Sequence, residues 1–475
     1  MTTTDTTLDV EAVRRRFTAL QRPLAFFDGP GGTQCPDSVI DAIAGYLRSD
    51  NANVGAPYET SRRTDELVEL AHVRAGEFLG CDAGEVAFGQ SMTSLNFLLS
   101  RALARELSAG DEIVVTKLDH DANVSPWLAI ADDLDLVVKH AEVKDDLSLD
   151  VDHLGSLLSD RTKVVAFPAA ANSVGTAPDV RQLVELAHGV GALAWVDAVH
   201  YGPHGPIDVR AWGCDVLVCS PYKYCGPHMG LAYGRAELLR SWRPYKVRPA
   251  ADEPVGHRFE LGTCQHELLA GFVAAVDYMH ELGWDAIVSH ERALGQRFLD
   301  GLHDDVVLHG LPTMEGRVPT FCFTVPGHTA EQVATHLAGR DVAVWWGNYY
   351  ALETIRRLGL DECLAAISGA APLSVEMTNL GPLGWVSAIE GYSYRATHPE
   401  TGAPWGAMPQ ALLDLWAALA DYPALSTESA PECSVEHPDW ARLAEAAAQL
   451  TCTWAPLDAE GKTEAVSGAD SDPDK

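Results

Sequence analysis

The stretch that decides the fold is Trp195-Val-Asp-Ala-Val-His-Tyr-Gly-Pro-His204, followed by Cys214-Asp-Val-Leu-Val-Cys-Ser-Pro-Tyr-Lys-Tyr-Cys-Gly-Pro-His228. Each half reads as a short apolar run ending in polar residues. Ala192-Leu-Ala-Trp-Val196 delivers Asp197 and His200 to its C-terminal edge, and Val216-Leu-Val-Cys219 delivers Ser220 and Lys223. Apolar runs of four or five residues suit strands buried on both faces, as in a parallel sheet. Open sheets of that kind bind ligands at the carboxyl ends of their strands.

A carboxylate and a lysine at neighbouring strand ends meet the two needs of pyridoxal phosphate. The carboxylate keeps the pyridine nitrogen protonated, and the lysine holds the aldehyde covalently. Either residue alone has an ordinary explanation, because lysines after strands are usually solvated and aspartates there often cap helices. The two together, followed by Tyr224-Cys-Gly-Pro, carry the cofactor reading. Here the sequence resembles the class V aminotransferase family, in its cysteine-desulfurase-like branch, over about residues 10–360.

The other motifs come in chain order. Asp9–Leu20 has apolar positions at helical spacing and predicts an opening helix. Ala25-Phe-Phe-Asp-Gly-Pro-Gly-Gly-Thr-Gln34 is a short strand breaking into a glycine turn, with a helix from about Pro36. A polar loop over 51–63 precedes a helix expected near Thr64. Arg62 and Arg63 in it have the chemistry to meet a carboxylate, although arginines before helices are commonly surface residues. Glu85–Asn96 reads as strand, turn and helix, and a helix start offers unpaired N–H groups and a positive dipole end to a phosphate. By the resemblance, Ser91 meets the phosphate through its hydroxyl and Met92 through its amide; a plain serine cap fits the local sequence equally.

The resemblance implies further roles. His120, in Asp-His-Asp-Ala-Asn-Val-Ser-Pro-Trp127, would stack on the cofactor ring and move protons at the substrate α-carbon. Asn172 and His200 would face the phenolic oxygen, and Ser220 the phosphate. Tyr222 stands where the family has a histidine. Thr263, in Arg258-Phe-Glu-Leu-Gly-Thr263, would reach across a homodimer to the partner's phosphate. Catalysis would rest on Lys223, Asp197 and His120.

The expected fold is α/β: a fold-type-I pyridoxal-phosphate transferase with a large, doubly wound, mostly parallel sheet. The large domain and N-terminal segment span 1–265 and a smaller α/β domain spans 266–370. The latter includes a long helix from about Cys264, a strand over 319–325 and a helix over 329–337. Two departures stand out. The loop where desulfurases carry their attacking cysteine reads Val342-Ala-Val-Trp-Trp-Gly-Asn-Tyr-Tyr-Ala351, and Cys363 past the next helix reads as a small buried hydrophobe. The stretch 361–371, where the family places an arginine for the substrate carboxylate, has none.

Near residue 372 the sequence changes character. Leu373–Val386, Gly391–Gly402 and Pro404-Trp405 resemble the front of AlkB-type iron/2-oxoglutarate dioxygenases, over about 373–425. His437-Pro-Asp439 has the H-x-D spacing, but no histidine lies beyond it, and two ligands do not make a facial triad. It reads as a truncated graft without iron chemistry, followed by an acidic, partly disordered tail within 426–475.

The formal net charge of −33 over 475 residues disfavours nucleic acid and anionic membrane as partners. No run of eighteen apolar residues and no signal-peptide pattern occurs, so a cytoplasmic location is expected. The ten cysteines lack zinc-like spacing and read as reduced thiols, and no metal site is expected. The expected function is a pyridoxal-phosphate enzyme acting on a small amino acid by sulfur removal, β-elimination or transamination. The rivals are a nucleic-acid dealkylating dioxygenase and an inactive fusion relic.

Overall fold

The computed structural model describes residues 8–22 and 24–360 and the backbone of 363–367. The AlkB-like fragment, the H-x-D pair and the acidic tail lie outside the described residues. The large sheet has seven strands: β1 (Val86–Gly89), β2 (Glu112–Thr116), β3 (Val137–Ala141), β4 (Thr162–Pro168), β5 (Leu193–Asp197), β6 (Val216–Cys219) and β7 (Gly230–Gly234). Their spatial order is β1-β7-β6-β5-β4-β2-β3. The five from β3 across to β6 pair in parallel, while β7 runs antiparallel to both β6 and β1. The strands with fully apolar runs are the buried ones. Val164–Phe167, Ala194–Val196 and Val216–Cys219 are all 0% exposed, as a sheet covered on both faces requires.

The reversed β7 was not expected, and it shapes the site. Because it is antiparallel, its first residue, Gly230, lies opposite Gly89 at the C-terminal end of β1, and Leu231 lies opposite Cys219 at the end of β6. Three segments thus meet at the edge where Asp197 ends β5. A Cβ on Gly230 would sit 2.2 Å from the Ser91 carbonyl carbon and 2.6 Å from the Met92 nitrogen. Only glycine permits that approach.

Helices cover both faces: α1 (Asp37–Ser49), α2 (Glu59–Leu79), α3 (Met92–Leu103), α4 (Ser125–Leu134), α5 (Val180–Gly189), α6 (His266–Leu282), α7 (Trp284–Asp300) and α8 (Ala330–Ala338). The helix expected near Thr64 begins five residues earlier, and Thr64 is buried against the Tyr46 hydroxyl at 3.1 Å. The opening helix is shorter than its periodicity indicates, Val10–Arg14 with one further turn at Thr18–Gln21. The break lets Phe17 pack edge-on to Tyr278 and Arg16 pair with Glu281. Both partners lie on α6, whose apolar face packs on α1 and α2 and joins the large core through Leu269, Phe272, Val276 and Met279.

A smaller sheet orders β8 (Val307–His309), β9 (Thr320–Thr324), β10 (Trp345–Gly347) and β11 (Cys363–Ile367) as β10-β11-β9-β8, all antiparallel. Cys363 is thus on a strand, directly opposite Gly347. A separate core of Phe298, Val306, Met314, Phe321, Phe323 and Leu337 underlies this sheet. Among the described residues no helix is long and apolar enough to cross a membrane.

Trp195, on β5, ties the sheet to α3 and α4. It is fully buried, crosses Trp127 edge-on at 4.8 Å and stacks near Trp242 at 6.1 Å. Its indole N–H donates to Asn96 Oδ1 at 2.7 Å. Trp195→Ala should cost about 3–5 kcal/mol of unfolding free energy, read from urea denaturation. Asn96→Ala, which strands the indole donor, should cost about 1–3 kcal/mol.

Candidate active site

Lys223 sits in a single turn, Pro221–Lys223, directly after β6 and Ser220. It is 6% exposed, and its ammonium donates to the Pro30 carbonyl of the glycine turn. Burial lowers its pKa to about 8 against the opposing pull of the Asp197 carboxylate. Asp197 is pushed up to about 6 by burial, in spite of a 2.8 Å bond from the Val199 amide and the Lys223 charge. Each charge is disfavoured by the dry surroundings and partly restored by the other. A buried carboxylate held this way suits a cationic ring N–H, and a lysine about half neutral near pH 8 suits an aldehyde.

His120 lies in the loop after β2, and burial with the Lys223 charge lowers its pKa to about 4. The ring is therefore neutral at physiological pH. Its Nδ1 accepts the Ala122 amide at 3.0 Å, which leaves the proton on Nε2. His200 is likewise held neutral by burial, with smaller contributions from His204, Lys223 and His120. Its Nε2 meets Thr320 Oγ1 at 2.7 Å, while Nδ1 is buried without a partner. Asn172 donates to the Tyr349 carbonyl at 2.8 Å, and its Oδ1 is buried without a partner. The resemblance directs this amide at a phenolic oxygen. Here one of its hydrogens goes to the Tyr349 carbonyl.

Ser91 caps α3, accepting the Ser94 amide at 3.1 Å, in a box closed by the Ser91 amide on Ser94 Oγ. The serine cap is thus present, and a capped helix start keeps the dipole that a phosphate would meet. Met92 and Ser220 are buried at the same edge, beside Gly230. The orphaned atoms on Asn172 and His200, the Gly230 cradle and the Lys223–Asp197 pair fit pyridoxal phosphate. Thr263 is exposed on the turn after Glu260 and is not among the groups this one chain gathers. Arg63 is committed to Asp50 and Glu59 on its own surface, and Arg62 to the Pro57 carbonyl.

Several neighbours escaped the sequence reading. Asp119 is buried beside Asp197, bonded to Asn123 at 2.8 Å and to Thr116, and burial raises its pKa strongly. Asn123 accepts from Asn96, which accepts from Trp195, so a polar chain links the His120 loop to the Asp197 strand. Tyr350 stacks on His120, with centroids 5.4 Å apart and planes at 30°, and its carbonyl accepts the Asp121 amide at 2.7 Å. Both Tyr349 and Tyr350 have positive φ, 54° and 55°. The signal for Asp119 was its place beside His120; nothing local marked Tyr350.

A model of aminotransferase class V matches residues 25–369, and the chain belongs to that family of pyridoxal-phosphate enzymes. A model of the 2OG-Fe(II) oxygenase superfamily matches residues 358–437, overlapping the first by the stretch that forms β11. The chain is 31% identical over 378 residues to a cysteine desulfurase of Synechococcus elongatus, covering 74% of this chain but 59% of that protein's length. It is 30% identical over 387 residues to a cysteine desulfurase of Haloferax volcanii, covering 74% of this chain and 91% of the relative. Among solved structures, the apo cysteine desulfurase of Thermococcus onnurineus superposes with a TM-score of 0.76 at 25% identity, over 80% of this chain and 98% of that one.

Two predictions test this site. Uptake of pyridoxal phosphate by cofactor-free protein needs the neutral Lys223 amine. With a pKa of about 8 its rate should rise about fivefold between pH 7 and 8 and level off above about pH 9. An ordinary lysine would still be climbing tenfold per unit there. Gly230→Ala should push the Ser91–Met92 turn outward and weaken cofactor retention by about tenfold, or roughly 1.4 kcal/mol of anion binding. Gly45→Ala, whose Cβ meets nothing within 4 Å, is the control. Visible absorbance after dialysis reads both.

Proposed function

We propose that this protein is a pyridoxal-phosphate lyase that removes the β-sulfur of a small amino acid such as cysteine and releases it as sulfide, without a protein-bound persulfide. The cofactor, when bound, supplies the electron sink for negative charge at the substrate α-carbon. Lys223 and Asp197 would hold it, Lys223 at the aldehyde and Asp197 at the ring nitrogen. Ser91, Met92 and Ser220 would hold its phosphate. Lys223, with its lowered pKa, takes the α-proton. The Cβ–S bond breaks with its electron pair on sulfur, which leaves with a proton. The balance is cysteine plus water giving pyruvate, ammonia and sulfide, with no net oxidation. His120, neutral and bearing its proton on Nε2, is the candidate donor to the leaving sulfur.

The observation that carries this reading is the chemistry of the thiols and of the loop over His120. That loop presents Asn348, Tyr349 and Tyr350, none of which can take up sulfur. Cys225 is fully buried and its thiol is raised far above its ordinary value; Cys219 and Cys264 are each pushed up to about 12, chiefly by burial. Only a thiolate attacks sulfur, and these remain protonated at neutral pH. Thr263 and Leu261 stand exposed beside Gly262 with φ +78°, which supports a homodimer in which this turn reaches the partner's phosphate site.

Incubation with cysteine should yield sulfide and pyruvate in equal amounts, and intact-mass spectrometry should find no sulfur adduct. Lys223→Ala should abolish both the visible absorbance and turnover. A persulfide on Cys225, Cys264 or Cys363, lost together with turnover on alanine substitution, would overturn the proposal. So would protein that stays colourless with pyridoxal phosphate.

A further inference from the structure

Away from Lys223, α2 and the segment at the Gly256–Phe259 turn bring together His72, His257 and Glu260. Their ligand atoms all lie within 4.8 Å of one another. His72 Nε2 is 2.9 Å from Glu260 Oε1, and His257 Nδ1 is 3.8 Å from Glu260 Oε2. The two imidazoles stack face to face, centroids 3.9 Å apart and planes at 25°, so both turn an edge toward the same carboxylate. Cys264 Sγ hydrogen-bonds Glu260 Oε2 at 3.7 Å.

The tautomer of His72 gives this cluster its meaning. Its Nδ1 lies 2.8 Å from the Val68 carbonyl, one turn back on α2. A carbonyl only accepts, so Nδ1 carries the proton. Nε2 then faces the Glu260 oxygen at hydrogen-bond distance, where a bare lone pair would repel the carboxylate. A positive centre must lie between them, either a second proton or a metal ion. An imidazole that donates its far N–H to a backbone carbonyl while its near nitrogen faces a carboxylate is the arrangement of metal-bound histidines. Glu260 is fixed in turn by the Phe88 amide of β1 on Oε1 at 2.9 Å and by Cys264 on Oε2. Two imidazoles and one carboxylate form a donor set that zinc takes readily, with a fourth position left for water. Ligand atoms around tetrahedral zinc sit about 3.3–3.5 Å apart. The His72–Glu260 edge, at 2.9 Å, is a hydrogen-bond distance and opens by about 0.5 Å to admit the ion. The wider edges close by rotation of His257, whose side chain is 28% exposed and has room to turn.

We propose that His72, His257 and Glu260 form a divalent transition-metal site of the zinc type, separate from the cofactor site. A metal there ties the turn that carries Gly262 and Thr263 to α2 and β1. The inference stands whether or not the reaction proposed above is right.

The test uses the full-length, cofactor-loaded chain without an added histidine tag, stripped by chelation and titrated with Co²⁺. One cobalt per chain should give visible d–d bands that Zn²⁺ bleaches. Affinity should fall tenfold or more in His257→Ala and in Glu260→Gln, with the cofactor absorbance retained. The thermal midpoint of the parent chain, but not of His257→Ala, should rise with added Zn²⁺. Because His257 is partly exposed, its loss leaves the core intact. No cobalt spectrum would mean an imidazolium–carboxylate pair only and would overturn the site. A spectrum unchanged in both variants would place the metal elsewhere, for instance at His437 and Asp439, and would overturn it equally.

Discussion

The structure depends on holding one ammonium and one carboxylate in a place that favours neither charge. Asp197 ends β5 and Lys223 lies in the turn after the adjacent β6, in a sheet covered on both faces, and each charge is disfavoured by burial and favoured by the other. Removing one partner leaves an uncompensated buried ion, which is far more costly than the pair. Much of the surrounding structure exists to hold that geometry. The glycine turn gives the Pro30 carbonyl to Lys223. The Trp195–Asn96–Asn123–Asp119 chain keeps the His120 loop against the Asp197 strand. The reversed strand β7 brings the α3 start into the same corner.

Much of this was legible because it is local. The runs before Asp197 and Ser220 are contiguous and wholly apolar, and buried parallel strands leave that imprint. The lysine and the histidine come after their strands at fixed short distances, so placing the strands placed the side chains. The direction of β7 was not legible, since Gly230-Leu-Ala-Tyr-Gly234 has the same apolar character whichever way it runs. Contacts made across the fold left no trace either. Thr320 on His200, Tyr350 on His120 and His72 on Glu260 join residues 120, 230 and 188 positions apart, and no periodicity encodes such pairs. The early end of the first helix belongs to the same group, because Phe17 and Arg16 answer to α6 rather than to their neighbours.

The loop over His120 is fixed by three contacts. It is held by the Asn172 amide on Tyr349, the Asp121 amide on the Tyr350 carbonyl and the ring stack with His120. Two residues in the left-handed region are strained unless their surroundings fix them, and these contacts do so. A loop anchored this firmly offers a fixed aromatic wall above the imidazole rather than a reagent swung in on a flexible arm.

The last described strand limits where the small sheet could be cut. β11 lies between β10 and β9, so it is an interior strand of the small sheet rather than an edge. It also falls where the two family matches overlap. A join made a few residues earlier would have removed the only hydrogen-bonded neighbour of Trp345–Gly347 in that sheet among the described residues, and with it the footing of the tyrosine loop. The five residues Cys363–Ile367 are therefore the keystone of the small sheet among the described residues.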